Sequence, residues 1–588
     1  MKKIVISLLI ICGLMSCSDD FLKPEPLSFF SPEGTLVDKG GFESILISLR
    51  KDLSKEFITQ KNLMAHQFMV SEIGVPWLQL DFRQLTPTTD QYQQFVNQIN
   101  TIFEVIKNAN MIISRIDNEN VTWASEEEKN IVLAEALWHR SYWYYRLVGC
   151  YGDLPFVNEE VTSAKFDFKT HSRWAILNKL QKDMEWAVKW MPEKAEMGVP
   201  SKAAGTHLLT KIYLANLEFD KAISSASEVI DNSNYALMTS RFGENAADPK
   251  KNVIWDLHRP LNKNLPVNTE TILAIVDRYD APSTSRSVGT FTMRVYNVAW
   301  YNNQNAKDSE GNLGFVAQGP LYDSLGRGNP DCSLTPYHSY EIWKESGLDY
   351  KSTSDLRRAP INWYEPEEMR YNNPASVDYG KVVDPANTNY PDQFWARFYP
   401  MPFYKTYIPN YPGQQGTPLG SNGDMYVYRL AETYLLRAEA YYWKGDLAKA
   451  AVDINKVRER AGAIPITTAQ VTIDYIFDER ARELFIEEPR QNELNRVSYI
   501  LAKLNRDGYT LENIHQKNWL YDRIIAHNDF YSRGEVISLG WSPYIAPYNF
   551  QWPIDDNMIT ANTLGRINQN KGYTGSERNE PPLEVIEE

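Results

Sequence analysis

Glu479, Glu483 and Glu487 recur at four-residue spacing late in this 588-residue chain, so a helix would place them on one face. Paired carboxylates suit general acid and base catalysis. A glycoside hydrolase needs two of them roughly 5 Å or roughly 6.5 to 9.5 Å apart across a cleft. Arg480 and Arg482 are interleaved with these acids, however, and such alternation marks ion pairs that lock a helix to its neighbours. Arg429, Glu432, Arg437 and Glu439 repeat the alternation and take the same structural reading. A second set of acids, Asp277, Asp280, Asp308, Glu310, Asp323 and Glu341, is scattered through the middle of the chain, and no spacing singles out a pair. No catalytic residue is assigned. Cysteine and histidine spacing supports no metal site, and no cofactor is implied. Cys150 and Cys332 are compatible with one disulfide in an oxidising compartment or with two buried thiols.

These residues sit in a strongly periodic chain. From Tyr92 to Ile116 the apolar positions Phe95, Ile99, Ile102, Phe103, Ile106, Ala109, Ile112, Ile113 and Ile116 fall at three- and four-residue intervals, which predicts a helix with one buried face. Ala134, Leu137, Trp138, Tyr142 and Tyr145 continue the rhythm in a helix from Glu126 to Val148, and Gly149, Gly152 and Pro155 stop it. Further helices are predicted at 172–190, 203–216 and 219–231. A weak internal repeat relates Tyr213, Phe219 and Ala222 to Tyr441, Leu447 and Ala450, with Ala438 and Gly445 completing the second copy. Those offsets match the tetratricopeptide pattern, in which a large residue on one helix packs on an alanine of the next. The fold class expected is mostly α, built on tetratricopeptide-like helix pairs stacked into a scaffold.

Between the two copies the composition changes. The segment 253–425 is dense in Asn, Asp, Gly, Pro, Tyr and Trp, with strand-like runs at Thr271 to Asp277 and Gly289 to Val298. It reads as a loop-rich, aromatic insertion with short strands, between helical parts at 17–252 and 426–588, all in one compact body. Its densest polar and aromatic cluster is Arg294, Tyr296, Trp300, Tyr301 and Asn302, and Trp395-Ala396-Arg397-Phe398-Tyr399 forms another. Tyr and Trp offer a flat apolar face with a polar tip, which suits the C–H face and hydroxyls of a sugar. Trp300 and Tyr301 are adjacent, so in a strand at most one faces a ligand. For any single ring, filling a loop-rich core is the commoner role.

Composition is that of an ordinary globular chain, 43% hydrophobic and 23% charged. The net charge of −14, with basic residues interspersed among acids, excludes the concentrated basic surface that nucleic acid requires. At the N-terminus Lys2 and Lys3 precede an apolar run from Ile4 to Leu14 that closes on Ser16 and Cys17, the layout of a secretory signal peptide over residues 1–16. About eleven apolar residues are too few to span a bilayer, which takes about twenty. Leu14-Met15-Ser16-Cys17 reads as a lipobox with Cys17 as the acylated residue, whereas Cys12 follows the bulky Ile11. Two or three acyl chains at Cys17 would hold the protein to a membrane by lipid alone.

The C-terminal part carries a specific resemblance. Tyr428-Arg429-Leu430-Ala431-Glu432-Thr433-Tyr434-Leu435-Leu436-Arg437-Ala438-Glu439-Ala440, then Gly445-Asp446, Ala450 and Ile454-Asn455-Lys456-Val457-Arg458-Glu459-Arg460-Ala461-Gly462, resemble consecutive motifs of the SusD/RagB-like lipoproteins. Glu479 to Phe485, Leu494-Asn495-Arg496, Trp552-Pro553-Ile554, Asn570 and Gly572-Tyr573 follow in the family order, while Glu488 stands where the family has a glycine. The resemblance implies a SusD-like fold and a protein that is not an enzyme. It implies a lipoprotein exposed on the outer membrane of a Bacteroidota-type cell, which captures oligo- or polysaccharide and delivers it to a SusC-like TonB-dependent transporter. Ser18-Asp19-Asp20 resembles the surface-sorting signal of such lipoproteins, and the loop from Ser71 to Asp81 corresponds to the region where starch-binding relatives place a stacking tryptophan. Trp77 and Asp81 therefore join Arg294, Tyr296, Trp300, Tyr301 and Asn302 as the expected glycan site. A glycoside hydrolase and a tetratricopeptide-type peptide-binding scaffold are the alternatives.

Overall fold

The computed structural model describes residues 32–59, 62–76, 82, 85–299, 306–387, 398–533 and 544–587. Its elements in chain order begin with α1 (Lys39–Asp52), α2 (Leu63–Met69) and β1 (Gly74–Pro76). Next come α3 (Asp90–Arg115), α4 (Glu126–Tyr151), β2 (Leu154–Pro155), β3 (Thr170–His171), α5 (Arg173–Ala187), α6 (Lys202–Ala215) and α7 (Phe219–Ile230). The insertion holds β4 (Thr271–Ile275), α8 (Thr292–Tyr296) and β5 (Cys332–Leu334). The C-terminal part holds β6 (Met425–Arg429), α9 (Leu430–Lys444), α10 (Leu447–Arg460), α11 (Ile473–Leu484), α12 (Arg490–Lys503) and α13 (Trp519–His527). Among the described residues no helix is long and apolar enough to cross a membrane.

Helix ends follow local chemistry. Ser125, Ser172 and Ser201 cap α4, α5 and α6, their hydroxyls accepting from Glu128, Ala175 and Ala204 N–H groups that have no partner inside the helix. Gly445 ends α9 in the left-handed region at φ +81, a conformation that costs other L-residues steric strain, and Asp446 immediately caps α10. The repeat is physical. α6 packs on α7 and α9 on α10, and α7 lies against α9, so the two copies touch. Ala222 and Ala450 are fully buried where the partners approach, and Phe219 stacks on Trp443 at 6.0 Å between ring centres. Arg437 ties the layers, pairing with Asp453 of α10 at 2.8 Å and donating to Ser227 Oγ of α7 at 2.9 Å.

The insertion is closed at its base by antiparallel pairing of β4 with β6, so the chain leaves and re-enters the helical body through one ladder. The run at Gly289 to Val298 is not a strand. Its β-branched and aromatic residues favour extended backbone, but Phe291 adopts the left-handed conformation at φ +54 and starts α8. Backbone bonds from Thr290 and Phe291 to the carbonyls of Ser421 and Gly420 (both 3.1 Å) hold this turn, a tertiary override of local propensity. The expectation of one helical face for Glu483 and Glu487 is also corrected, because α11 ends at Leu484 and Ile486 sits at φ +63. Cys150 and Cys332 are buried free thiols, not a disulfide.

Candidate functional site

The carboxylates of α11 face inward. Glu479 is paired with Arg357 (2.7 Å), Arg458 (2.9 Å) and Arg482 (2.7 Å), and Glu483 with Arg357 (2.9 Å), Arg429 (2.6 Å) and Arg460. Glu270, just before β4, takes further bonds from Arg429 and Arg460. Burial alone would push the Glu479 carboxyl up, but the three guanidinium groups outweigh it and bring it down to about 2. An acid catalyst needs the opposite, a raised pKa and access to substrate. Glu479 and Glu483 are instead ionised, saturated by arginine and closed to solvent, so the ion-pair reading of this motif holds. A parallel network joins Lys211 of α6 to Glu493 of α12 at 3.0 Å and to Glu432 of α9, and Arg496 to Glu439 at 2.6 Å.

Of the insertion acids, buried Asp277 accepts from Ser287 N (2.9 Å) and Oγ (2.5 Å), and buried Asp308 holds its own turn by accepting from Glu310 N (3.1 Å) and Asn312 N (2.8 Å). Both therefore brace loops. Among the described residues no cluster of His, Cys, Asp and Glu is placed to hold a metal ion.

β1, which directly precedes the expected site residues Trp77 and Asp81, is paired with β5. The chain from α2 to β1 is firmly held: fully buried Glu72 pairs with Arg490 and with Arg523 at 3.0 Å. Those arginines overcome the effect of burial and bring its carboxyl down to about 2. Asn528 bridges the turn by donating to the Ser71 and Gly74 carbonyls, both at 2.9 Å. A Cβ on Gly74 would lie 2.3 Å from the Phe68 carbonyl oxygen, so only glycine fits this approach. β1 then pairs antiparallel with β5, Val75 opposite Ser333 and Pro76 opposite Cys332.

The second expected part starts from the same segment of the insertion. Arg294 accepts at its carbonyl from Asn329 N (3.0 Å), Asn297 donates to the Leu325 carbonyl (2.8 Å), and Tyr399 OH donates to the Tyr296 carbonyl (2.7 Å). Pro76 and Val298, from which the chain runs on toward Trp77 and Trp300, are thus both rooted on 325–334. Trp77, Asp81, Trp300, Tyr301 and Asn302 themselves lie outside the described residues, as does Cys17.

Arg294 and Tyr296 are described, and they differ. The Arg294 guanidinium is half-buried at the insertion surface. Tyr296 is 2% exposed, its ring edge-on to Phe68 (6.5 Å) and Phe485 (5.6 Å), so it is a core ring joining α2 to the turn just after α11 rather than a stacking platform. The sequence reading placed it with the ligand because aromatic density does not distinguish the two roles. Tyr411 is 40% exposed and is followed directly by the turn signal Pro412-Gly413, which marks a surface loop in sequence.

Stacked helix pairs with internal ion pairs, closed by a loop-bearing aromatic insertion, define a mostly α-helical protein of SusD-like fold. The profile of the SusD family matches residues 270–573, and a second profile, described as starch-binding associating with outer membrane, matches residues 44–214. The chain belongs to the SusD family. It is 24% identical over 249 residues to SusD-like protein P2 of Formosa agariphila, a stretch covering 40% of this chain and 47% of that relative. The chain thus spans about half the length of that curated relative. The structure of a SusD homologue from Bacteroides thetaiotaomicron superposes with a TM-score of 0.64 at 17% identity, over 92% of this chain and 98% of that one. A laminarin-binding SusD-like protein superposes with a TM-score of 0.59 at 17% identity, over 91% of this chain and 100% of that one.

Proposed function

We propose that this protein is a cell-surface glycan-binding lipoprotein that captures oligo- or polysaccharide and delivers it to a SusC-like TonB-dependent transporter, without catalysis of its own. The observation that carries this reading is membership of the SusD family. It is supported by a relative of the same fold described as laminarin-binding. The holding of Pro76 and Asn297 by residues 325–334 agrees with a site made by Trp77, Asp81, Arg294, Trp300, Tyr301 and Asn302. The protein recognises the sugar and the barrel supplies passage and energy.

Titration with the polysaccharides it retains tests the site. Trp77→Ala and Trp300→Ala each remove one stacking ring and are expected to weaken binding by about 1 to 3 kcal/mol, by analogy with bases stacked on aromatic side chains. Melting temperature should stay at the parent value. Parent-like binding by both variants rules this site out. Release of shorter sugars during the titration favours the hydrolase alternative.

The anchor has its own test. Cys17→Ala is expected to move the protein from the membrane fraction to the soluble fraction, because acyl chains would be its only hold on the bilayer. Retention of that variant in membranes lacking the barrel partner contradicts the lipid anchor.

A further inference from the structure

We propose that Tyr411 is the open end of a preformed aromatic stack that binds a pyranose ring of a neutral glycan, a contact outside the residues considered so far. The proposal rests on the glycan-binding reading above and assigns a particular surface to it. Tyr279 and Tyr411, 132 residues apart in sequence, stack with ring centres at 5.4 Å and planes inclined by 26°. The Arg286 guanidinium also lies over the Tyr279 ring, 4.1 Å from the ring centre. Tyr411 keeps 40% of its surface exposed while one of its faces stacks on Tyr279.

This ring is held rigidly. Tyr411-Pro412-Gly413-Gln414 forms a turn in which Gln414 N donates to the Tyr411 carbonyl at 2.8 Å, with proline second and Gly413 at φ +86 third, the requirements of a type II turn. Gln414 Oε1 accepts from Tyr411 N (2.9 Å) and from Ser421 Oγ (2.6 Å), fastening the turn to the chain that returns toward β6. A platform already fixed in its binding geometry loses little conformational freedom when a ligand arrives. Tyr379 is more exposed, at 60%, but among the described residues no ring or cation stacks on it.

The Tyr411 loop itself suits a neutral sugar. No residue from Thr406 to Gly423 is charged. The Gln414 amide oxygen is fully engaged, which leaves its NH2 group as a donor, while Asn410 Nδ2 donates to the Gly416 carbonyl (3.0 Å) and leaves its amide oxygen as an acceptor. An open ring face accepts the C–H side of a pyranose, and flanking amides accept or donate to its hydroxyls. The loop is rooted beside the expected site, since Leu419 and Pro418 carbonyls accept from Arg294 N (2.9 Å) and Arg327 N (3.0 Å).

Affinity electrophoresis of the full chain in gels containing laminarin, starch, xylan or galactomannan tests the proposal, with Tyr411→Ala, Tyr411→Phe and Tyr279→Ala beside the parent. In the polysaccharide that retards the parent, Tyr411→Ala should bind about tenfold or more weakly. Tyr411→Phe should stay within about twofold, because the ring face is kept, and Tyr279→Ala should fall between them. All variants should melt with the parent. If the parent is retarded and Tyr411→Ala is retarded equally, the stack is not a binding surface and the glycan reading survives alone. If the parent is retarded by none of the four, the glycan reading fails and this proposal fails with it.

Discussion

Replacing Glu483 with alanine is expected to destabilise the folded protein by about 3 to 5 kcal/mol, the usual cost of removing one partner from a buried ion pair. Glu483 accepts from Arg357, Arg429 and Arg460, which reach it from the insertion, from the end of β6 and from α10. Its loss leaves three guanidinium groups short of an acceptor in a region closed to water. Arg357 retains Asp355 (2.7 Å) and Glu479 (2.7 Å), and Arg429 retains Glu270 and Glu487 (2.8 Å), so the remaining acids absorb part of the charge. Arg460 keeps only Glu270 at 3.4 Å and is the most exposed to the deletion. Urea unfolding followed by circular dichroism measures the change. An acid–base catalyst would show the reverse pattern, unchanged stability with lost turnover, so an alanine variant as stable as the parent removes the structural account of this motif.

Acid should unfold the protein in two stages. His338 is buried and His515 half-buried, and desolvation brings their imidazoles from 6.5 down to about 3 and about 4. The Glu72 and Glu479 carboxyls lie at about 2 against an ordinary 4.5, held down by arginine in spite of burial. In every case the folded pKa is below the unfolded one, so the unfolded chain binds more protons and stability decreases with falling pH. The histidine contribution is complete above pH 6.5 and is lost from there toward about 3. The carboxylate contribution is complete above pH 4.5 and is lost from there toward about 2. Glu488 opposes the second stage, because burial raises its carboxyl. The expected result is a modest loss of melting temperature between about pH 6.5 and 5 and a steep one below about pH 4.5. Equal melting temperatures at pH 7 and pH 3.5 would contradict this account of the interior charges.

Much of the scaffold was legible because it is encoded locally. Apolar residues at three- and four-residue intervals predicted Tyr92 to Ile116 and Glu126 to Val148, and the helices run Asp90–Arg115 and Glu126–Tyr151. The repeated Tyr, large residue and Ala offsets marked two helix hairpins. Their packing is governed by those same positions, with Ala222 and Ala450 at the close approaches. The interleaved acids and arginines of α11 announced ion pairs through composition and spacing alone.

The insertion yielded less, for a physical reason. Its conformation is decided by contacts between residues far apart in the chain, which no local pattern records. Thr292–Tyr296 is helical because the 419–421 segment bonds to its first turn, and Tyr296 is buried because Phe68 and Phe485 close over it. Local periodicity likewise extended the acidic face to Glu487, although the helix ends at Leu484, where the chain turns through Ile486 before α12. The chain by itself determined the long helices, the pairing of the two repeat hairpins and the ion-pair character of the interleaved acids and arginines, because those signals recur over a few residues. Tertiary structure alone decided which rings are core and which face solvent, since a ring's exposure depends on what distant chain covers it: Tyr296 is covered by Phe68 and Phe485, while Tyr411 is backed by Tyr279 and stays 40% exposed.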